Sequence, residues 1–444
     1  MDLVLNQSID QRNGGLVYDF DGGIVTEKVK VIDAICGAGK STQIIKHMKE
    51  NSNKRWMFVS PYLSEVGDGD SEQGRIRQSL PEMNFKCPCK KRGKGKHLTE
   101  LLLNGDNVAI THSLLTRMDK GALRALTENE YHLVIDETLD VISVYKGIHQ
   151  DDIKGLVGTW IIKDECTGKL NWNYSLHGDD YNGTFKEIKD LCDLDSLYLH
   201  KDTVLINKLS PSVIRAAKSV TILTYMFEGS FMCAWMKMSG IGYEYTPLTE
   251  GFSPELIKEG VRKNLIIDNT PKSIRKWNTD SRDLALKTAF SSSWYKYHKN
   301  DLEDIKKGCH SYLTKLRKQG VKPQVFWTTF KEYQTSLSGQ GYTRGSIITD
   351  DGERLQPFVT KNKRASNEHA DCNVCMYLVN VYAHGDISSY IEGQGMALDN
   401  DKLALSEMVQ FIFRGCIRKG EPMYLMIASE RMKCLLETWL RMPE

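Results

Sequence analysis

The sequence predicts an α/β protein with two successive domains, each made of a parallel sheet with helices on both faces. Its 444 residues exceed the usual length of one domain, about 100–200 residues. Apolar, strand-like runs alternate with helix-like stretches, which is the order typical of parallel sheets. With 41% hydrophobic and 26% charged residues, the composition is that of a globular protein rather than a disordered or rod-like one.

The predicted first domain, residues 1–250, contains the first series of strands. They are apolar runs rich in β-branched residues, as expected of strands buried in a parallel sheet. These runs lie at 29–36, 55–60, 107–111, 131–136 and 219–225. Helices are predicted between them at Ser41–Lys49 and Ser113–Leu126. Residues 145–205 carry Gly, Asp, Asn and Trp in short runs, so we interpret them as an insertion in this domain.

The predicted second domain, residues 251–444, repeats the alternation of strands and helices. Its strand-like runs lie at 264–268, 324–329, 375–382 and 423–428. Its helices are predicted at Leu302–Gln319, Leu405–Arg418 and Ser429–Leu440. The stretch 336–372 is rich in loop residues. A repeated α/β pattern of this length predicts a second sheet rather than an extension of the first.

Composition limits the class of protein. The 59 Lys and Arg residues nearly balance 57 Asp and Glu, so any nucleic-acid surface must be local. No run approaches the roughly 20 consecutive apolar residues of a membrane span. The first twenty residues lack the basic and apolar regions of a secretory signal, and the 11 scattered cysteines fit reduced thiols. We therefore expect a soluble cytoplasmic protein without a membrane partner.

Residues Ala34–Ser41 (AICGAGKS), here called the phosphate cradle, form a Walker A sequence with Ala in place of the first Gly. The cradle lies between a predicted strand and a predicted helix, as the motif requires. Its glycines permit positive φ, so that successive amides surround a phosphate, and the helix that follows points its N-terminus at the same charge. The predicted ATP-binding residues are Gly37, Ala38, Gly39, Lys40, Ser41 and Thr42. The alternative is a glycine turn that precedes Lys-Ser by chance.

Two carboxylates complete the predicted nucleotide site. Asp136 and Glu137 follow the apolar run LVI about 95 residues after the cradle. Lys40 is predicted to contact the β- and γ-phosphates, while Ser41 and Asp136 hold Mg²⁺ and Glu137 activates the attacking water. An acidic pair after a strand is otherwise commonplace as a helix cap. Together with the cradle, it predicts a P-loop nucleoside triphosphatase.

At this point the chain resembles the superfamily 2 helicases and translocases, and among them a group of phage-encoded helicase-like proteins. The resemblance is carried by the cradle as motif I, by Asp136–Leu139 (DETL) as motif II and by Gln410–Arg418 (QFIFRGCIR) as motif VI. Weaker likenesses to motifs Ia, Ib, III and IV lie at Val59–Tyr62, Thr111–Ser113, Leu223–Met226 and Val325–Thr329. The resemblance implies two tandem RecA-like domains that bind ATP between them and move on nucleic acid. A phage protein of this kind would work in the bacterial host cytoplasm, in DNA replication or recombination.

Gln410, Arg414 and Arg418 are predicted to act with the nucleotide. Their spacing of four places them along one face of the predicted helix 405–418. Two guanidinium groups on one stripe can bind a polyphosphate and stabilise charge during transfer. The alternative is a solvated polar stripe on an amphipathic helix.

Nucleic acid is expected to contact a segment rich in lysine, Phe85–His97, here called the basic segment, which has six Lys or Arg residues and no acid. Each cation can neutralise a phosphate without reading sequence. The predicted contacts are Lys90, Lys91, Arg92, Lys94 and Lys96, with Pro61, Thr111, His112 and Thr328 added by the resemblance. The alternative is a solvated loop. Thr360–Arg364 offers a smaller basic patch.

Several alternatives remain open on the sequence alone. A zinc site at Cys87, Cys89 and His97, or at Cys372 and Cys375, is disfavoured by poor ligand spacing. A P-loop phosphotransferase would leave the second domain unexplained. A nucleotide-gated clamp that binds nucleic acid without unwinding it has the same ATP site as a motor. DNA, single-stranded or branched, is the expected partner, RNA is the alternative, and replication or recombination proteins are further expected partners.

Overall fold

The computed structural model describes residues 29–69, 74–249, 251–278, 287–345, 347, 354–361 and 368–443. The N-terminal signal prediction and most of the patch 360–364 lie outside these residues. The chain divides into two compact units. The first contains the chain up to Ala34, Gly39–Gly251 and His384–Leu398, and the second contains Ile35–Ala38, Phe252–Ala383 and Asp399–Glu444. The predicted boundaries at 250 and around 145–205 stay predictions.

The first unit is built on a parallel six-stranded sheet, in the order β11-β1-β10-β4-β2-β3. The strands are β1 (Val29–Asp33), β2 (Trp56–Ser60), β3 (Val108–Thr111), β4 (His132–Asp136), β10 (Ser219–Thr224) and β11 (Glu244–Tyr245). Strands β1, β2, β3 and β4 are mostly buried because apolar clusters cover the sheet. The carboxyl ends of all its strands therefore lie at one edge.

A smaller antiparallel region follows β4. A three-stranded sheet, in the order β5-β9-β8, consists of β5 (Ile142–Val144), β8 (Leu197–His200) and β9 (Val204–Lys208). A hairpin pairs β6 (Ile161–Lys163) with β7 (Leu170–Trp172). This region has its own apolar cluster, which includes Trp172 and Ile188.

The second unit contains a parallel four-stranded sheet in the order β12-β15-β14-β13. Its strands are β12 (Leu265–Ile267), β13 (Val325–Thr328), β14 (Val374–Tyr377) and β15 (Met423–Ile427). The core on one face includes Trp294, Tyr312 and Trp327. Two parallel sheets with helices confirm the predicted tandem α/β fold.

Helices cover both sheets. In the first unit they are α1 (Lys40–Glu50), α2 (Leu63–Val66), α3 (Arg75–Ser79), α4 (Lys94–Leu103), α5 (His112–Leu115), α6 (Lys120–Glu128), α7 (Ile153–Leu156), α8 (Tyr174–His177), α9 (Lys186–Asp193), α10 (Ser212–Arg215), α11 (Phe231–Met238) and α17 (Gly385–Gly393). In the second unit they are α12 (Pro254–Asn264), α13 (Lys272–Arg275), α14 (Ser292–Tyr297), α15 (Leu302–Lys318), α16 (Gln334–Leu337), α18 (Asn400–Ile412) and α19 (Glu430–Arg441). None of the helices in the described part of the chain combines the length and apolar character that crossing a membrane requires.

Two predicted helices were wrong in extent. The helix predicted at 113–126 is two helices, α5 and α6, because Asp119 caps α6 and its carboxylate accepts the Ala122 amide at 2.8 Å. The helix predicted at 405–418 ends at Ile412 and is followed by a 3₁₀ turn over Cys416–Lys419. Beyond the helix, Gly415 has an extended backbone and leaves no room for a side chain, since a Cβ there would clash with Met423 Sδ and lie 3.0 Å from the carbonyl oxygen of Cys372.

Candidate nucleotide and nucleic-acid site

The phosphate cradle connects β1 to α1. Gly37 and Gly39 have φ of 85° and 103°, values that side-chain-bearing residues rarely adopt. Gly39 is the N-cap of α1, and no side chain caps this helix among the described residues. Ala38 is fully buried, whereas Gly37 and Thr42 are exposed and Ser41 is partly exposed. The loop therefore presents backbone at the start of an uncapped helix, which suits a phosphate group.

Lys40 lies inside the cradle. Its side chain is only 8% exposed, and its ammonium Nζ donates to the carbonyl oxygen of Ala34 at 2.6 Å. This bond joins the first residue of the cradle to the first residue of α1. A phosphate oxygen in the loop would be an alternative acceptor for the same ammonium.

Asp136 ends β4 and is partly buried. The hydroxyl of Ser60 donates to Asp136 Oδ2 at 3.3 Å. Burial, together with the nearby charges of Glu137 and Glu65, raises the pKa of Asp136 to about 7. A carboxylate held under such conditions gains from a cation beside it. Asp136 and the Ser41 hydroxyl are hard oxygen donors, and this donor chemistry fits Mg²⁺.

The sheet order brings the two halves of the predicted nucleotide site to one edge. Strand β10 pairs with both β1 and β4, so the cradle and Asp136 follow strands separated by one strand. Neighbouring strands lie about 4.8 Å apart, which separates their backbones by roughly 10 Å. That distance leaves room for a phosphate and a cation between them. Whether Lys40, Asp136 and Glu137 act in catalysis stays a prediction.

Asp33 is a residue of this edge that the sequence did not single out. Its carboxylate accepts the amides of Met226 and Phe227, at 2.7 and 2.8 Å. It thereby fixes the turn after β10, in which Met226 has a φ of 57°. The only sequence signal was an acid at the end of a buried strand just before the cradle.

The motif Ia-like and Ib-like segments end the strands on the other side of β4. Pro61 follows β2, Thr111 ends β3 and His112 follows β3, and all three residues are partly exposed. Imidazole Nε2 of His112 lies 2.9 Å from the backbone oxygen of Asp136. Both segments therefore reach the residue that ends β4.

The basic segment forms a 3₁₀ turn over Lys90–Arg92 followed by α4. Lys90, Lys91 and Lys96 are exposed, and Lys94 is partly exposed. Arg92 is different, because its guanidinium pairs with Glu100 and approaches His97. The lysines are thus better placed than Arg92 to bind phosphates.

The structure corrects the arrangement of the motif VI-like residues. Gln410 lies on α18 and bonds to Ser406, whereas Arg414 and Arg418 lie beyond the helix. Arg414 is 3% exposed, packs on the Phe411 ring at 4.7 Å and donates to Thr360 O at 3.4 Å. Arg418 is exposed. The three residues therefore do not form one helical stripe.

Thr328 is also corrected as a nucleic-acid contact. It ends β13 and is fully buried, with 0% of its surface exposed. A side chain in this position packs in the core of the second unit instead of facing a ligand. The likeness of 325–329 to a helicase motif was too weak to reveal this.

The cysteines give no support to a zinc site. Among the described residues, no group of three or more His, Cys, Asp or Glu side chains has the geometry to hold a metal ion. His97 Nδ1 accepts the Cys89 amide at 2.9 Å, and the Cys87 thiol donates to Gly67 O at 3.1 Å. Cys372 and Cys375 are both buried.

Two family models match parts of the chain. Residues 142–207 match the model of the YonV middle domain, and residues 265–440 match the model of the YonV C-terminal Rossmann-like domain. The chain is also 29% identical, over 431 residues, to the "SPbeta prophage-derived uncharacterized protein YonV" of Bacillus subtilis (strain 168). That similarity covers 93% of this chain and 99% of the relative. The Rossmann-like description agrees with the parallel sheet of the second unit.

Solved structures with a similar chain path include those of two proteins. S. tokodaii Xpd4 aligns with a TM-score of 0.47 and 12% identity, covering 93% of this chain and 94% of that one. The DUF1998 helicase MrfA bound to DNA and AMPPNP aligns with a TM-score of 0.32 and 10% identity, covering 94% of this chain but 49% of that one. Likenesses this distant carry no argument about what the present chain does.

Proposed function

We propose that this protein is an ATP-dependent DNA helicase or translocase. The observation that carries the proposal is the edge of the first sheet, where an uncapped glycine cradle and the Asp136–Glu137 pair follow strands separated only by β10. The cradle supplies backbone amides and a buried ammonium, and β4 supplies carboxylates. This combination suits the binding and hydrolysis of a nucleoside triphosphate.

Each residue of this edge has a definite task in the proposed reaction. Lys40 exchanges its bond to Ala34 for the β- and γ-phosphates, and Ser41 and Asp136 hold the cation. Bound Mg²⁺ supplies positive charge that stabilises the leaving diphosphate. Glu137 accepts a proton from the attacking water.

Movement on nucleic acid is proposed from the strand ends beside this edge. Pro61 follows β2, the strand next to β4, and Thr111 and His112 lie at the end of β3, the next strand along. Four of the lysines of the basic segment, Lys90, Lys91, Lys94 and Lys96, add charges that bind phosphates without sequence preference. DNA is the proposed partner, with RNA as the alternative.

Arg418 is the proposed residue that stabilises charge during phosphoryl transfer. It is the exposed arginine of the motif VI-like segment, so its guanidinium is accessible to a ligand. Arg414 is proposed to have a supporting role, because Phe411 and Thr360 hold it in the core. Gln410, on α18, is kept as a further candidate for contact with the nucleotide.

A phage setting is proposed from one relative. The Bacillus subtilis protein is described as derived from the SPbeta prophage, and the similarity spans nearly its whole length. Phage DNA replication or recombination in the host cytoplasm is the setting that we propose, with proteins of those processes as partners.

One experiment separates the proposed motor from its rivals. Phosphate release from ATP is measured alone and with single-stranded, duplex or branched DNA or with RNA, and strand separation is followed on the same substrates. A motor hydrolyses faster with nucleic acid and separates or moves along strands. A clamp is stimulated but separates nothing, and a small-molecule phosphotransferase is not stimulated. The last result would contradict the proposal.

A further inference from the structure

The peptide group that joins Asp136 to Glu137 is held from both sides. Its N–H, on Glu137, donates to the carbonyl oxygen of Leu223 in β10 at 2.8 Å. Its carbonyl oxygen, on Asp136, lies 2.9 Å from Nε2 of His112. A carbonyl oxygen only accepts hydrogen bonds, so His112 Nε2 carries the hydrogen and donates. One planar group is thus fixed by two strands that are not neighbours.

His112 makes its bond over an intervening strand. It follows β3, whereas Asp136 ends β4, and β2 lies between these strands. Two strand spacings of about 4.8 Å separate β3 from β4, so the imidazole must span the end of β2. At that end, Ser60 donates its hydroxyl to the Asp136 carboxylate. The segments after β2 and β3 therefore both contact Asp136.

The clamped peptide sets the conformation of Glu137. Glu137 has a φ of 66°, a left-handed conformation that is unfavourable for residues with a side chain. Because the peptide plane is rigid, a rotation of this plane changes φ of Glu137, the angle that relates the plane to the Glu137 side chain. The bonds from Leu223 and His112 oppose that rotation. The position of Glu137 therefore depends on where the end of β3 holds His112.

We propose that His112 is a positioning residue that couples nucleic-acid contact at Thr111–Ser113 to the placement of the Glu137 carboxylate. The inference rests on the proposed function, in which Glu137 accepts a proton from water. Nucleic acid bound at the start of α5 fixes the His112 side chain. This strengthens its bond to the Asp136 carbonyl and holds Glu137 in the position for catalysis. Hydrolysis is then fastest when the strand end is occupied.

The test compares two replacements of His112 whose side chains have a similar length. His112→Gln keeps an N–H donor that can bond to the Asp136 carbonyl, whereas His112→Met has none. His149→Met is the matched control, because His149 is an exposed histidine of the antiparallel region and is not part of the proposed machinery. For each protein, kcat and KM for ATP are measured with and without saturating single-stranded DNA. Binding of a fluorescent ATP analogue and thermal melting are recorded in parallel.

We expect His112→Met to lower the DNA-stimulated kcat on the order of 10- to 100-fold, the scale of a misplaced catalytic group. Its stimulation ratio should fall towards one, while ATP analogue affinity stays within about threefold. His112→Gln should retain most of the stimulation, and His149→Met all of it. A purely structural role would instead lower the melting temperature and leave the stimulation ratio unchanged.

Two results would overturn the inference while leaving the proposed function standing. The first is a normal kcat and stimulation ratio in His112→Met. The second is equal damage in His112→Gln and His112→Met, because then the donor is not what matters. A wild-type protein that does not hydrolyse ATP would overturn the proposed function and the inference together.

Discussion

The two parallel sheets of this protein end in different ways at their carboxyl edges. In the first sheet, β1 and β4 end in Asp33 and Asp136, and the turns beyond β4 and β10 contain left-handed Glu137 and Met226. In the second sheet, β13, β14 and β15 end in Thr328, Tyr377 and Ile427, and none of the described residues that directly follow them has a positive φ. The Leu378 amide donates to Thr328 O at 3.1 Å, and the Ala428 amide donates to Tyr377 O at 2.9 Å.

This difference supports the proposal that the first edge, rather than the second, carries the chemistry. At the second edge, Thr328 and Leu378 are fully buried, so the strand ends belong to the core. At the first edge, acidic groups and unfavourable backbone conformations are kept together. Such conformations persist only where surrounding bonds impose them. The fold alone does not assign an activity, and the contrast between the edges is what points to the first.

The largest effect is expected when the ammonium group of the cradle lysine is removed. Lys40→Ala should abolish ATP hydrolysis, because the β- and γ-phosphates lose their ammonium contact. Phosphate release measures the effect. Lys49→Ala on the same helix is the control, since the Lys49 side chain is 68% exposed and pairs with Glu82 on the surface. Turnover that survives in Lys40→Ala would remove the cradle from the site.

The next largest effect is expected at Arg418. Arg418→Ala should lower kcat by about 10³ with little change in ATP affinity, the scale of an arginine finger. Arg418→Lys should rescue it poorly, because an ammonium cannot supply the planar two-donor fork. Measured kcat and nucleotide Kd decide this, with exposed Arg441→Ala as control. A normal kcat in Arg418→Ala would leave the second unit without a demonstrated part in hydrolysis.

For Arg414, unlike Arg418, the main expected effect is on stability. Arg414→Ala should lower the free energy of unfolding by about 1–3 kcal/mol, because a buried guanidinium loses its contacts with Phe411 and Thr360. Chemical denaturation measures the change. An unaltered stability together with a loss of kcat would show that Arg414, despite its burial, acts on the nucleotide.

Neutralising the basic segment should affect nucleic-acid binding without affecting basal hydrolysis. Changing Lys90, Lys91, Lys94 and Lys96 to Gln should reduce the slope of log K against log salt for single strands by about 3, from four phosphate contacts at roughly 0.7 each. Fluorescence anisotropy at several salt concentrations gives the slope. The control replaces four exposed lysines of the antiparallel region and its surroundings, namely Lys146, Lys154, Lys186 and Lys201. An unchanged slope would make the basic segment a solvated surface.

The smallest predicted effect is that of replacing Asp136 on the stability of the protein. Its pKa is raised to about 7 in the folded protein, above its ordinary value of 3.8, so the folded state holds a proton that the unfolded state releases. The contribution of the Asp136 carboxyl group to stability is therefore fully present below about pH 4 and is lost as the pH rises through about 7. At pH 7 and above, without metal, Asp136→Asn should gain on the order of 1–3 kcal/mol over the wild type.

Denaturation of both proteins in EDTA at several pH values measures the stability of Asp136→Asn relative to the wild type. The difference should be close to zero near pH 4 and grow with pH. Mg²⁺ with nucleotide should reverse it, because only the carboxylate is a good ligand for the cation. A difference that is independent of pH would mean that Asp136 is not held under the electrostatic conditions described.

Local patterns in the sequence predicted much of this fold. The β-branched runs predicted the strands, and glycine spacing predicted the cradle between β1 and α1. The extent of α18 was missed because the Gln-Arg-Arg spacing was given more weight than Gly415, a recognised stop signal. The hydrogen bond between His112 and Asp136 depends on the order of the strands, in which β2 lies between β3 and β4. Strand order is a property of the whole sheet, so no local pattern reveals it.

The most direct test of the central claim is hydrolysis by Glu137→Gln beside the wild type, with and without single-stranded DNA. The account predicts that wild-type phosphate release rises with DNA. It also predicts that Glu137→Gln binds ATP with similar affinity but hydrolyses it about 10²- to 10⁴-fold more slowly, since the amide cannot accept a proton from water. Equal rates in the two proteins, or a wild-type rate that ignores DNA, would contradict the assignment of this sheet edge to a nucleic-acid-stimulated ATPase.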